Sequence, residues 1–298
     1  MPELPEVEVV RAGLAPALIG SVVQAVEVFD RRALKRHPAE RGGFENALRG
    51  VSFATPQRRG KFLWLPLLEG EDALLAHLGM SGQMLLRTGD APEDRFVRVR
   101  IWLENPEHGE LRLDFADQRL FGSLALDRLV PTHDGLSGGF GAADARVPSQ
   151  AAHIARDPLD PGFDDEVFLA ALTKRKSAVK RVLLDQGVVS GIGNIYADEA
   201  LWAAQLHPEH PATELSREQG TRLLEEVRTV FRKALREGGT SFDAQYVNVN
   251  GEAGYFAHSL NSYGRTGEPC NRCGTAIKRI PFAGRSSHFC PRCQRLAR

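Results

Sequence analysis

Hydrophobic and polar positions along this chain follow two different periods. From Val22 to about Val130, short apolar runs are broken by Gly and Pro. Over residues 96–103, Phe96, Val97, Val99, Ile101 and Leu103 interleave with Arg98 and Arg100, close to the period of two that marks a half-buried strand. Similar runs at 22–29, 61–68, 73–78 and 111–115 predict an antiparallel sandwich or barrel. A short helix opens the chain: Pro5 suits a first turn, Glu6 and Glu8 favour the positive helix N-terminus, and Gly20 can end it.

From Asp164 the period becomes helical. Asp164 or Asp165 caps a helix through about Gln186, and a second helix spans about 195–205. The third, over 216–237, is the clearest. Ser216 and Gln219 form a capping-box pattern, Leu223, Val227, Val230, Phe231 and Leu235 share a face, and Gly238-Gly239 supplies the stop. Residues 131–150, rich in Gly, Ser, Ala and Asp, lack a period and read as a linker or surface loop. Residues 241–264, rich in Gly, Asn and Tyr, read as another loop.

At 298 residues the chain suits two domains with a small appendix, and 42% hydrophobic with 26% charged residues is ordinary for a globular protein. No apolar run of about 18 residues predicts a membrane span. Glu3, Glu6 and Glu8 stand where a signal peptide needs basic and apolar segments, which points to the cytoplasm. A formal net charge of zero argues weakly against nucleic acid. The distribution says otherwise: residues 265–298 carry eight Arg or Lys against one acid, Glu268, and residues 174–181 carry five bases and no acid. Local fields, not the whole-chain sum, bind phosphates.

All four cysteines lie in that basic tail. Cys270 and Cys273 are separated by sixteen residues from Cys290 and Cys293. Each pair can put two thiolates on one tetrahedral ion, and the spacer suits a β-hairpin, which predicts one structural zinc with no open coordination position. His288 is a spare ligand candidate that reads better as a surface residue. Arg285 reads either as an inserting arginine or as part of a solvated charged face. Residues 187–194, Gly-Val-Val-Ser-Gly-Ile-Gly-Asn, separate two helical patterns. Asn194 at the start of the next helix suits an anion such as a DNA phosphate, although from these residues alone an ordinary helix–helix turn with an Asn cap is the more common reading.

The first residues can carry chemistry. Removal of Met1 leaves Pro2 with a secondary α-amine whose pKa lies near 8, so part of it is neutral and nucleophilic at physiological pH. Its adduct with an aldehyde carbon is a cationic iminium, and Glu3 and Glu6 stand beside it as general acid or base. A helix cap without chemistry would also account for this segment.

Pro2-Glu3-Leu4-Pro5-Glu6-Val7-Glu8 resembles the N-terminus of the bacterial formamidopyrimidine-DNA glycosylases, also called 8-oxoguanine DNA glycosylases. So do His77-Leu78-Gly79-Met80-Ser81-Gly82, Gly191-Ile192-Gly193-Asn194-Ile195-Tyr196-Ala197, Gly254-Tyr255-Phe256-Ala257 and the four-cysteine tail, in the family's order across nearly the whole chain. The resemblance implies an α+β fold: an N-terminal catalytic antiparallel β-sandwich with flanking helices over 2–130, an interdomain linker over 131–160, a helical DNA-binding domain with a helix–two-turn–helix motif over 161–264, and a zinc-finger β-hairpin over 265–298. It further implies a monomer that binds double-stranded DNA between its domains, with one structural zinc, in a bacterial cytoplasm at the nucleoid.

The implied activity is that of a base-excision-repair glycosylase and abasic-site lyase. It removes 8-oxoguanine opposite cytosine, and formamidopyrimidines, through a Pro2 Schiff base followed by β,δ-elimination. Carried over by motif, Pro2 is the nucleophile at C1′, Glu3 protonates the sugar ring oxygen, and Glu6 organises the lesion pocket. Lys61, His77 and Asn194 hold phosphates, and Arg285 grips the backbone near the lesion. Met80, Arg119 and Phe121 fill the space left by the flipped nucleotide, with Phe121 as wedge and Arg119 on the orphaned cytosine. The chain departs from the family pattern at Leu120, where a second arginine is usual, and at Ile154-Ala155-Arg156-Asp157-Pro158-Leu159. Residues 242–254 are expected to cap the flipped purine. Two rival readings are an endonuclease VIII-like glycosylase for oxidised pyrimidines and a zinc-finger DNA-binding module without catalysis.

Overall fold

The computed structural model describes residues 2–240, 249 and 254–296. They fall into two compact units, Met1–His153 with Gly238–Gly254, and Ile154–Glu237 with Tyr255–Arg298.

In the first unit, α1 (Leu4–Leu18) begins at its N-cap Glu3 and carries Pro5 in its first turn. Proline costs nothing there, because a first-turn N–H has no intrahelical acceptor. Val7, Val10, Leu14, Ala17 and Leu18 recur at helical spacing and are buried. Then follow β1 (Val22–Val28), α2 (Phe44–Leu48), β2 (Gln57–Arg59), β3 (Phe62–Pro66), β4 (Asp72–His77), β5 (Gly82–Thr88), β6 (Val97–Asn105), β7 (Gly109–Asp117), β8 (Ser123–Pro131) and β9 (Arg146–Pro148). They form two antiparallel sheets, ordered β1-β6-β7-β5 and β2-β3-β4-β8-β9. The alternation read in β6 is realised: Val99, Ile101 and Leu103 stand opposite Phe115, Leu113 and Leu111 of β7 and are buried. Arg100 faces the other side, paired to Asp114 at 2.8 Å. One core joins these residues to Leu63 and Leu65, Leu74 and Ala76, Leu124 and Leu126, and the apolar stripe of α1. The architecture is therefore a sandwich with a helix packed on it, not a barrel.

Residues 131–150 are not a bare loop. They contain β9, which pairs with β8, and Phe140, whose backbone exchanges hydrogen bonds of 2.8 and 3.0 Å with Arg58. Backbone pairing leaves no trace in composition, so the sequence reads this segment as irregular.

The second unit contains α3 (Asp165–Thr173), α4 (Val179–Leu183), α5 (Asn194–Ala204) and α6 (Arg217–Arg236), then a hairpin of β10 (Lys278–Phe282) and β11 (Arg285–Phe289). Asp164 caps α3 by accepting from the N–H groups of Glu166 and Val167. The single helix expected over 164–186 is broken, because Ala178 is extended and bridges to Pro211 while the Val179 N–H donates to the His210 carbonyl. The capping box of α6 is present in both directions, Gln219 N–H to Ser216 Oγ at 3.2 Å and Ser216 N–H to Gln219 Oε1 at 2.8 Å. Its buried face is Leu223, Leu224, Val227, Phe231 and Ala234, a slight rotation from the expected stripe that leaves Val230 and Leu235 half-buried. Among the described residues no helix is long and apolar enough to cross a membrane.

One member of the basic run at 174–181 points inward. Lys180 is fully buried and donates to Asp198 at 2.6 Å, to Ser287 Oγ at 2.8 Å and to the Ser286 carbonyl at 3.0 Å. It fastens α4 to α5 and to the hairpin and does not face a phosphate. Lys180→Met would strand the Asp198 carboxylate without its ammonium. A loss of about 3–5 kcal/mol is expected in urea unfolding, and a loss below about 1 kcal/mol would show that the pair is not what holds these elements together.

Candidate active site

Pro2 and Glu3 are buried at the start of α1. Glu6, one turn on, is 1% exposed and engages backbone with both carboxylate oxygens. Its Oε2 accepts from the Glu3 N–H at 2.8 Å, and its Oε1 accepts from the Thr240 N–H at 2.8 Å and the Thr240 hydroxyl at 2.9 Å. The charge sits where the helix dipole favours it. Glu6 thus fixes the turn that presents Pro2 and Glu3. Glu8 continues the anchoring: it pairs with Arg58 at 2.9 Å and with Arg11 at 2.8 Å. Arg58 in turn donates to the Gly60 carbonyl at 3.2 Å, so α1 is tied to the β2–β3 turn that carries Lys61.

Lys61 stands beside His77, because β3 and β4 place Phe62 opposite His77, with ring centroids 4.9 Å apart. The Gly79 N–H donates to His77 Nδ1 at 3.2 Å. Burial pushes the His77 pKa down to about 4, helped by the charges of Arg36, Lys61 and Lys35. The ring is therefore neutral at physiological pH, within the fields of three cations. Lys35 and Arg36 are absent from the sequence reading. The run Arg31-Arg32-Ala33-Leu34-Lys35-Arg36 was the visible signal for them.

Met80 lies between β4 and β5, and Arg119 and Phe121 lie between β7 and β8. Met80 is 40% and Phe121 49% exposed, and the Arg119 guanidinium sits 5.0 Å from the Phe121 ring centre. Large apolar groups held out at turn tips, with a cation over one of them, form a surface suited to stacking against planar bases.

In the second unit, Asn194 is the first residue of α5, and the cap is Gly193, not Asn194. Asn194 Nδ2 donates to the Ser286 carbonyl at 3.0 Å. That contact joins the glycine elbow to the residue after Arg285, which is exposed at the head of β11. The four cysteine sulfurs converge within 4.8 Å of one another, with Cys273 and Cys290 sulfurs 3.5 Å apart. Four thiolates at that spacing fit a tetrahedral zinc ion and leave no position open for a reacting group. The Trp202 indole N–H donates to Cys270 Sγ at 3.3 Å. His288 is neither a ligand nor a surface residue. It is buried, with Nδ1 3.2 Å from Asp198 and its backbone N–H donating to the same carboxylate at 2.8 Å. The segment expected to cap a flipped purine, 242–254, lies outside the described residues except for Val249 and Gly254.

Three family profiles match the chain in order. They are the formamidopyrimidine-DNA glycosylase N-terminal domain at residues 1–124, the H2TH domain of the same enzymes at 154–245, and the zinc finger found in FPG and IleRS at 267–296. The formamidopyrimidine-DNA glycosylase of Leifsonia xyli subsp. xyli is 62% identical over 99% of this chain and 100% of its own length. The Lactococcus lactis Fpg bound to abasic-site DNA superposes with a TM-score of 0.80 at 31% identity, covering 98% of this chain and 99% of that one. The same Lactococcus protein with Fapy-dG-containing DNA gives 0.80 at 31% identity over 98% and 100%. The cysteine cluster and the finger profile agree on one structural zinc. With the sandwich, the helical unit and the finger each matched in place, the chain belongs to the formamidopyrimidine-DNA glycosylase family of DNA-repair enzymes.

Proposed function

We propose that this chain excises oxidised purines, 8-oxoguanine opposite cytosine and formamidopyrimidines, from duplex DNA and then cuts the strand as an abasic-site lyase. The observation that carries this reading is the fixed N-terminal turn: Pro2 and Glu3 are buried side by side on a helix start that Glu6 pins to backbone at Glu3 and Thr240. The Lactococcus complexes with abasic-site and Fapy-dG DNA support the substrate class.

After loss of Met1, the neutral Pro2 nitrogen bonds to C1′ of the flipped nucleotide as the bond from C1′ to the base breaks, and the proton that Pro2 sheds goes to the departing base. Glu3 gives a proton to the ring oxygen as the C1′–O4′ bond opens, leaving an iminium on Pro2. Loss of a C2′ proton expels the 3′-phosphate, a second elimination expels the 5′-phosphate, and water releases Pro2. Glu6, with both oxygens on backbone, positions this turn and leaves proton transfer to Glu3. Lys61 and His77 hold phosphate in the first unit, Asn194 and Arg285 in the second. Met80, Arg119 and Phe121 occupy the vacated space. Residues 2–130 carry the chemistry and 161–264 with 265–298 the grip on duplex, while of 131–160 the part up to His153 belongs to the first unit. The zinc ion, held by Cys270, Cys273, Cys290 and Cys293, supplies folding free energy to the hairpin and takes no part in bond making.

Borohydride trapping on duplex containing 8-oxoguanine opposite cytosine tests the nucleophile. The processed protein should give a covalent adduct, and Pro2→Gly should cleave far more slowly while duplex binding persists; undiminished cleavage rejects Pro2. Glu3→Gln should slow ring opening, read as formation of the trapped adduct and strand cleavage, by about 10²–10⁴-fold. Comparison with a thymine glycol duplex decides against the oxidised-pyrimidine alternative.

Two electrostatic roles separate in a salt titration. Lys61→Gln should reduce the slope of log affinity against log salt by about one, as for one lost phosphate contact. His77→Gln should leave that slope unchanged at pH 7.5, because burial already keeps the ring neutral. An equal drop in both slopes would mean that His77 is charged in the complex. Chelation should release one zinc per chain and weaken duplex binding, and full affinity after zinc loss would remove the finger from the interface.

A further inference from the structure

Two tips that the sequence places 36 residues apart are built as one solid. Asp117, at the end of β7, is 1% exposed. Its Oδ1 accepts from the Ser81 hydroxyl at 2.6 Å and from the Arg119 N–H at 3.1 Å, and its Oδ2 accepts from the Gly122 N–H at 2.7 Å. Ser81 Oγ accepts a second bond from the Arg119 N–H at 3.2 Å. One buried carboxylate and one hydroxyl therefore tie the turn after Met80 to both ends of the Arg119–Phe121 turn. Packing seals the join. Gly79 has φ +62°, and a Cβ there would meet the Phe121 carbonyl carbon at 2.4 Å and the Gly122 nitrogen at 2.5 Å. Between the tied ends, Leu120 holds a left-handed φ of 55°, a conformation that costs a residue with a side chain. From outside the loop, Lys35 donates to its carbonyl at 2.7 Å.

We propose that Ser81, Asp117 and Lys35 are positioning residues that make Met80, Arg119 and Phe121 a single preformed insertion tool. The proposal rests on the void-filling reading of those three side chains given above. Two separate flexible tips would each lose conformational freedom on entering the helix stack. A yoked pair has lost it on folding, so entry and lesion flipping draw on one rigid geometry. The strained Leu120 peptide persists because the surrounding bonds over-determine it. Ser81 sets where Met80 stands relative to Phe121, and Lys35 sets the pitch of the turn that aims Phe121 and Arg119.

The test uses the full-length, Met1-processed protein and two duplexes. One carries 8-oxoguanine opposite cytosine. The other carries a tetrahydrofuran abasic analogue with 2-aminopurine as neighbouring base, whose fluorescence rises when the wedge unstacks it. Ser81→Ala and, separately, Lys35→Met should slow the fluorescence rise and single-turnover excision about tenfold, since small misplacement is costly in rate. For Ser81→Ala duplex affinity should change less than about twofold, and Ser81→Thr, which keeps the hydroxyl, should restore the rates. In a Phe121→Ala background, Ser81→Ala should cost less than it does alone, because only Met80 and Arg119 remain to be aimed. Wild-type rates in both single variants, or a full additional loss in the Phe121→Ala background, overturn the yoke. Absence of a trapped adduct with wild-type protein overturns the excision reading itself, and the yoke falls with it.

Discussion

A carboxylate buried at a helix start fixes the N-terminal turn. Glu6 lies in a place where an unpartnered charge would be expensive, and three donors from Glu3 and Thr240 satisfy it. These bonds join the first turn of α1 to Thr240, so fraying of that turn would leave a buried carboxylate short of donors. Chain termini are ordinarily the least ordered part of a domain. Here Pro2 and Glu3 are buried and the turn behind them is bonded to Thr240. Glu8, on the same helix, extends the constraint through Arg58 to the Gly60 carbonyl beside Lys61.

Much of the fold was legible because periodicity reports burial. β6 and α6 bury nearly the residues whose spacing marks them, and the Ser216 capping box needs only four residues to declare itself. What stayed hidden depends on partners distant in sequence. The break between α3 and α4 follows from pairing with residues 210–212, and β9 exists only because β8 offers it an edge. Leu120 shows the same limit in the candidate site. Nothing about a leucine announces a left-handed backbone; that conformation is imposed by Asp117, Ser81 and Lys35 from three other places in the chain.

The zinc ligands were readable from spacing alone, but their support was not. Adjacent acids on α5 hold the finger's surroundings in opposite directions. Asp198 takes Lys180, Ser287 and His288, while Glu199 accepts backbone N–H groups from Asn261, Ser262 and Tyr263. Burial pushes the Glu199 carboxyl up against the pull of those N–H groups. A hairpin with little core of its own is thus seated on a polar shelf as well as on its metal.

Charge counts mislead here for a physical reason. The chain sums to zero, yet a phosphate responds to the cations whose fields are not already spent. Lys180 is spent on Asp198, Arg265 pairs with Glu268 at 2.8 Å, and Arg272 lies 4.2 Å from the Trp202 ring centre. Each belongs to a run that reads as basic surface. Lys35 donates to the Leu120 carbonyl and Arg36 lies 5.6 Å from the Phe62 ring centre, yet with Lys61 their charges still reach the neutral His77 imidazole. A sequence reports how many cations a chain owns; only the fold reports which of them have found their anion inside it.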